Sequence, residues 1–160
     1  MGDLGEFSGA IGLFIKTYRW RRIDPVPFTP VTRPLSECRL ALVSSAGFVA
    51  EGQEPFDESI RGGDPSFREI PSDVAVASLS ENHRSQSFDH SGVARDPNLA
   101  FPVERVRELE AAGRIGGLAR HHLSFMGSIT APGRLVKQTA PAAAEKLVNQ
   151  KVDVALLVPV

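Results

Sequence analysis

The sequence predicts an α/β domain built on a parallel sheet. Two apolar strands, residues 39–46 (RLALVSSA) and 152–160 (VDVALLVPV), stand at either end of a stretch of helix-forming segments. That order is expected when parallel strands are joined by crossovers. The first strand stops at Ser44, Ser45, Ala46 and Gly47. Small residues of this kind end a strand at the first ligand-facing loop of a doubly wound sheet. The second strand is apolar at Val154, Ala155, Leu156, Leu157 and Val158, hence on both alternating faces. Such a run belongs in the middle of a sheet covered on both sides.

Taken in order, residues 4–20 read as an amphipathic helix. Leu4, Phe7, Ile11, Phe14, Ile15 and Tyr18 recur at helical spacing. Arg19, Trp20, Arg21 and Arg22 follow, as charges favourable to a helix C-terminus. Pro25, Pro27, Pro30 and Pro34 then make a short extended tether, so residues 1–36 form an N-terminal helix and tether and residues 37–160 the α/β domain. After the first strand, residues 50–65 are polar, with a turn at Gly62-Gly63-Asp64-Pro65. Ser66–Ile70 reads as a short strand, and Ser78 with Glu81 as a capping box for a brief helix ending near His83. Residues 84–102 read as an irregular polar loop, long enough to suggest function. A helix over 102–112 has Pro102 at its start, Val103, Val106 and Leu109 on one face and Gly113 as its stop. Thr139 reads as the cap of a helix that carries Pro141 in its first turn and runs through Leu147. The whole is expected to be a Rossmann- or flavodoxin-like layered domain, incomplete at the C-terminal edge of its sheet, where such proteins place their chemistry.

A length of 160 residues fits one domain, and 42% apolar with 23% charged residues is ordinary for a globular chain. A formal net charge of −1 gives no field to recruit nucleic acid or an anionic membrane. No apolar run approaches the roughly 20 residues of a membrane span. The single cysteine, Cys38, excludes an internal disulfide and a multi-cysteine zinc site and makes a cytoplasmic location the expectation. No G-x-S-x-G elbow surrounds Ser44 or Ser45, which argues against a serine hydrolase.

The segments RGGDPSFREIP (61–71), HRSQSFDHSGVARDPNLAFPVERVRELEAAGRIG (83–116), HHLSFMGSI (121–129) and VDVALLVPV (152–160) resemble the selenoprotein B family of glycine, sarcosine, betaine and D-proline reductases, and most of all its short, D-proline-reductase-like members. The similarity runs from about Trp20 onward, in several separated motifs in the right order. The resemblance implies an oxidoreductase that cleaves a C–N bond of a small amino acid reductively. It implies a selenocysteine or cysteine directly after the strand that ends here at Val160, which makes the chain the N-terminal part of a longer protein and inert by itself. Selenocysteine is encoded by UGA, otherwise a stop codon, and the codons after Val160 decide the matter. No cofactor is expected on the chain itself. A pyruvoyl group on a partner subunit is implied to hold the substrate amine while the selenolate displaces it at carbon. A nearby thiol or a thiol redox protein then resolves the selenium adduct. An oligomer is expected. Two other readings stay open: a stand-alone thiol or selenol oxidoreductase without a pyruvoyl partner, and a non-enzymatic module that binds a small carboxylate.

A chalcogen nucleophile must be ionised, and a strand end before a helix N-terminus favours that. His83 and His90 bracket the long loop, and a neutral imidazole there could protonate a leaving amine or hold an anion. Asp89 could orient the ring as a third catalytic group. Asp96 and Asn98 are candidates for substrate contact in the same loop. All of these could equally organise the loop through side-chain–backbone bonds. Ser44, Ser45 and Gly47 could present N–H groups to a carboxylate, or merely form a tight strand exit. Asp64, in its glycine turn near Arg68, could belong to a carboxylate site, or simply to the turn. The resemblance implies that His121 or His122 lies with Gly127 near the substrate, the other reading being a surface or half-buried histidine; adjacent residues on a regular element point apart, so the two histidines make no joint metal site. No metal site is expected, and Cys38 lies at the wrong end of its strand to be the nucleophile.

Overall fold

A computed structural model describes residues 9–19, 22–85 and 88–160. The start of the expected first helix, including Leu4 and Phe7, lies outside the described residues, as do Trp20 and Arg21. The chain divides into two compact units, Met1–Pro30 and Val31–Val160. In the first, helix α1 spans Gly9–Thr17 and ends with Phe14 and Tyr18 in ring contact at 5.4 Å. In the second, residues 33–38 are tied to the main sheet by side chains rather than hanging as a tether. Arg33 pairs with Asp153, and the Cys38 thiol, buried, bonds to the Pro34 carbonyl.

The main sheet is mixed and mostly parallel. Strand β1 (Arg39–Ser44) is its centre. On one side lies β7 (Val154–Val158), parallel and in register from Leu40↔Val154 to Ser44↔Val158. On the other lie β5 (Gly117–Leu118) and β6 (His121–Phe125), both parallel to β1. Beyond β6, β3 (Phe67–Pro71) runs antiparallel. A separate ribbon joins β2 (Phe48–Val49) to β4 (Ser80–Glu81).

The side-chain alternation of these strands sorts the core into two layers. Leu40, Leu42 and Ile70 face one way, into a cluster with Phe101, Val103 and Val106. Those last residues come from helix α3 (Val103–Ala111) and the segment before it, with helix α2 (His90–Arg95) adding Val93. Helix α4 (Ala140–Asn149) lies over the opposite face, tied to it by the Lys146–Glu69 ion pair at 2.7 Å.

Four residues, 119 to 122, stand opposite only two of β1, Ala41 and Leu42. This is a bulge. The Leu42 N–H, deprived of a carbonyl in its ladder, donates instead to His122 Nδ1 at 3.2 Å. His122 is fully buried, edge-on to Phe101 at 5.9 Å. Burial, with the charges of Arg107 and His121 behind it, pushes its pKa down to about 4. The ring is therefore neutral, with its proton on Nε2.

Several local expectations are corrected. The capping box at Ser78 and Glu81 does not form: residues 76–78 make a single 3-10 turn and 80–81 are strand β4. The loop 84–102 carries two capped helical turns, α2 and a 3-10 turn at Pro97–Leu99. Thr139 is no N-cap. It ends a π-turn, Leu135–Thr139, that runs straight into α4. Pro141 lacks the N–H that would bond Lys137, and a locally widened helix accommodates the missing bond. Strand β7 is at the edge of the described sheet rather than inside it: Leu156 is 42% and Leu157 67% exposed.

Candidate active site

Strands β1, β6 and β7 are parallel, so their carboxyl ends share one edge, the position where open α/β sheets bind ligands. Ser45 follows β1, Gly127 follows β6, and Pro159 and Val160 follow β7. The ends of β1 and β7 are tied together. Ser45 N–H donates to the Val158 carbonyl at 3.1 Å, and Val160 N–H donates to Ser45 Oγ at 3.0 Å. A cleft of about 490 Å³ opens beside them, its lining almost wholly apolar, with Val43, Phe125, Ile129, Leu135 and Leu157 in its walls and Ser45 and Gly127 also lining it.

The β2–β4 ribbon carries the next segment onto this edge. Gly47 N–H bonds to the Phe125 carbonyl and Asn82 N–H to the Gly47 carbonyl. Gly47 has φ +72°, and a methyl group there would lie 3.0 Å from the backbone of Asn82 and His83, so only glycine lets the two chains approach. His83 arrives beside Gly127: a methyl group on Gly127 would sit 2.6 Å from the Ser45 carbonyl and 3.0 Å from His83 Nε2. Ser45, Gly127 and His83 are thus one cluster.

His83 is 7% exposed. Its Nδ1 accepts from Ser85 N–H at 3.2 Å, which leaves the proton of the neutral ring on Nε2. Nε2 is buried and has no hydrogen-bond partner among the described residues. Burial lowers the His83 pKa, aided by the neighbouring His90 and Arg84 and opposed by Glu81. His90 is shifted the other way. Its Nδ1 meets Glu81 Oε2 at 2.7 Å and its Nε2 meets the Ser85 carbonyl at 2.9 Å. With an acceptor on each nitrogen, the doubly protonated ring is favoured, and the pKa is raised by the Glu81 bond first and the Ser85 carbonyl second. Two imidazoles 6.4 Å apart, with Phe88 packed against both, thus have their pKa values shifted in opposite directions.

The other predicted residues have structural partners. Asp89 caps α2, accepting from Ser91 and Gly92 N–H, and the carboxylate that orients His90 is Glu81. Asp96 caps the following 3-10 turn, and Asn98 bridges it to Glu104 at the start of α3. Ser44 is buried and donates to the Ala100 carbonyl at 2.7 Å. Asp64 accepts from Asp57 and Ser66 N–H; burial alone would raise its pKa, but those bonds and Arg68 hold it below the ordinary carboxylate range. Arg68 itself is spent on the Glu54 and Pro55 carbonyls and stacks on Phe56. His121 and His122 sit at the start of β6, the opposite end from Gly127, so neither lines the cleft. Glu81, which the sequence reads as part of a helix cap, instead bonds the His83 backbone N–H and the His90 ring. Among the described residues, no group of three or more His, Cys, Asp or Glu is placed to hold a metal, and no helix is long and apolar enough to cross a membrane.

Comparison with known proteins decides the family. The model of the glycine/sarcosine/betaine reductase selenoprotein B family matches residues 12–159. The chain belongs to this family. Among curated members, it is 35% identical over 136 residues to the D-proline reductase subunit gamma of Acetoanaerobium sticklandii, covering 84% of this chain and 54% of that one. It is 28% identical to the sarcosine reductase complex component B subunit beta of Peptoclostridium acidaminophilum, covering 84% of this chain and 30% of that one. A glycine reductase complex component B subunit gamma from Carboxydothermus hydrogenoformans is also 28% identical, with 76% and 28% covered. The chain thus spans about half the length of the first of these family members and less than a third of the others. No solved structure matches it.

Proposed function

We propose that this chain is the N-terminal part of a selenol- or thiol-dependent reductase subunit of the D-proline/glycine reductase type, with its chalcogen nucleophile immediately after Val160. The observation that carries the reading is the convergence at the sheet edge. The Ser45 hydroxyl fixes the Val160 N–H, and across Gly127 a buried His83 Nε2–H has no acceptor among the described residues. A donor buried without an acceptor costs free energy, so an anionic partner in front of it is favoured. Family membership, and relatives whose matched region is only part of their length, support the same reading.

In this scheme His83 donates to the chalcogenide or to the substrate carboxylate, and can pass its proton to a departing amine. His90 beside it, its pKa raised by Glu81, favours negative charge in the same place when it is protonated. The apolar walls of the cleft exclude water from the reacting carbon. A pyruvoyl group on a partner subunit, when present, would supply the electrophile that holds the substrate amine. The chalcogen–carbon bond forms as the C–N bond breaks, the amine leaving with a proton. A thiolate then attacks the chalcogen, the chalcogen–carbon bond breaks, and the carbon leaves with that electron pair and takes up a proton as the reduced product; the chalcogen–sulfur bond left behind is reduced by an external dithiol, which becomes a disulfide. The same edge without a pyruvoyl partner would run general thiol or selenol redox.

The test is the protein from its native source. A mass above 17.3 kDa with selenium or a further cysteine, and dithiol-dependent reduction of D-proline or glycine, are expected. In that protein His83→Phe is expected to lose about 10²–10⁴-fold in rate. A native mass equal to that of this chain, with no selenium, overturns the proposal.

A further inference from the structure

Ser45, directly after β1, uses its polar groups unequally. Its N–H donates to the Val158 carbonyl at 3.1 Å, and its Oγ accepts the Val160 N–H at 3.0 Å. The hydroxyl proton is left over. Its one acceptor among the described residues is the Val160 carbonyl oxygen at 3.5 Å, the far limit of a hydrogen bond. Ser45 also lines the cleft, and its Cβ lies 3.3 Å from where a methyl group on Gly127 would stand. A hydroxyl anchored by accepting from one strand end thus keeps a weakly used donor at the edge where β1, β6 and β7 finish.

We propose that Ser45 is the hydrogen-bond donor to the chalcogen nucleophile: its Oγ accepts the Val160 N–H and gives its own proton, as a hydrogen bond, to the anionic selenium or sulfur of the residue that follows. This assignment rests on the reading that a chalcogen follows Val160, and adds which side chain receives it. Consecutive Cα atoms are about 3.8 Å apart, so that residue begins one step from a backbone already bonded to Ser45. A hydroxyl has one donor and two lone pairs, so accepting from Val160 does not compete with donating. A bond to an anion is stronger than one between neutral groups and outcompetes the long contact to the carbonyl. Ser44, the neighbouring hydroxyl, is buried and donates to the Ala100 carbonyl, so it is already spent. The rival donor is His83 Nε2, across Gly127.

Alkylation of the reduced full-length protein by iodoacetamide as a function of pH tests the assignment. The label is read by mass on the peptide that contains Val160. Ser45→Ala is expected to raise the midpoint of the profile by about 1–2 pH units, the loss of one hydrogen bond to a charged group. Above the midpoint its rate is expected to rise about 2–10-fold, because a less stabilised anion is the stronger nucleophile. Ser45→Gly, which makes the same deletion, is expected to agree, and Ser45→Thr, which keeps the hydroxyl, to stay at the native midpoint and rate. A raised midpoint with a lowered plateau rate indicates a displaced strand end and overturns the inference, as does a Ser45→Thr variant shifted as far as Ser45→Ala. An unchanged midpoint in Ser45→Ala, with a shift in His83→Phe, gives the anion to His83 and overturns it too. A protein whose mass shows no chalcogen after Val160 fails the functional reading and this assignment together. A chalcogen present, but indifferent to Ser45, fails this assignment alone.

Discussion

Gly127 is where the close approach at the sheet edge can be weighed. Its φ is +68°, and an added methyl would lie 2.6 Å from the Ser45 carbonyl, 3.0 Å from His83 Nε2 and 3.3 Å from Ser45 Cβ. Gly127→Ala therefore carries two costs: about 1–2 kcal/mol for a left-handed backbone with a Cβ, and about 1–3 kcal/mol for overpacking against a carbonyl that cannot swing away. Gly113, at φ +66° after α3, has nothing within 4 Å of the same methyl and carries only the first cost. The difference between the two variants isolates the contact, at about 1–3 kcal/mol. For a domain of this size each kcal/mol moves Tm by roughly 3–6 °C. Urea denaturation followed by far-ultraviolet circular dichroism measures both, and the His83 ring resonances should shift in Gly127→Ala alone. Equal stability loss in the two variants would refute the packing of Ser45, Gly127 and His83.

Four further outcomes are expected. His122 is neutral in the fold with a pKa near 4, below its unfolded value, so the unfolded state takes up the proton first as pH falls. Stability should drop between about pH 6.5 and 4, by up to about 3 kcal/mol from this ring, and His122→Asn should flatten that slope in pH-dependent urea melts while weakening the sheet at all pH. His90 acts in the opposite sense, its contribution present at low pH and lost as pH rises through its raised pKa. Asp89→Ala should destabilise α2 in thermal melts yet leave the His90 midpoint above its ordinary value, because Glu81 holds the ring; a His90 midpoint back at the ordinary value would transfer the role to Asp89. Leu157→Lys, at a position 67% exposed, should leave stability within about 0.5 kcal/mol and reduce self-association by sedimentation; a large loss of stability would show Leu157 to be buried.

The elements legible in the sequence were those whose pattern is local. Strands β1 and β7 are apolar runs with clear ends, and α3 has Pro102 before it and Gly113 after it. Strand β6 was illegible because Arg120, His121 and His122 break its apolar run, and His122 is buried only through a bond to the backbone of another strand. The β2–β4 ribbon, two residues a side, exists only because Gly47 is drawn to Phe125 and Asn82. Ser78 and Glu81 carried a capping signature, but the Glu81 carboxylate found the His83 N–H and the His90 ring, a long-range choice no local rule contains. His83, His90, Ser45 and Gly127, candidates from the sequence, are brought near one another by the fold. Asp89, Asp96 and Asn98 share their polarity but spend it on caps, which only the helices they start could reveal.

The bulge opposite Ala41 and Leu42 has a consequence for how such chains can vary in length. Two surplus residues keep the side-chain alternation of β6 in phase with that of β5, whereas one would swap His122 and Ser124 with Leu123 and Phe125 between the two faces of the sheet. Single-residue insertions or deletions between Gly117 and Phe125 should therefore be excluded among relatives, and alignment gaps should gather in the 50–65 connection instead, where no ladder keeps count.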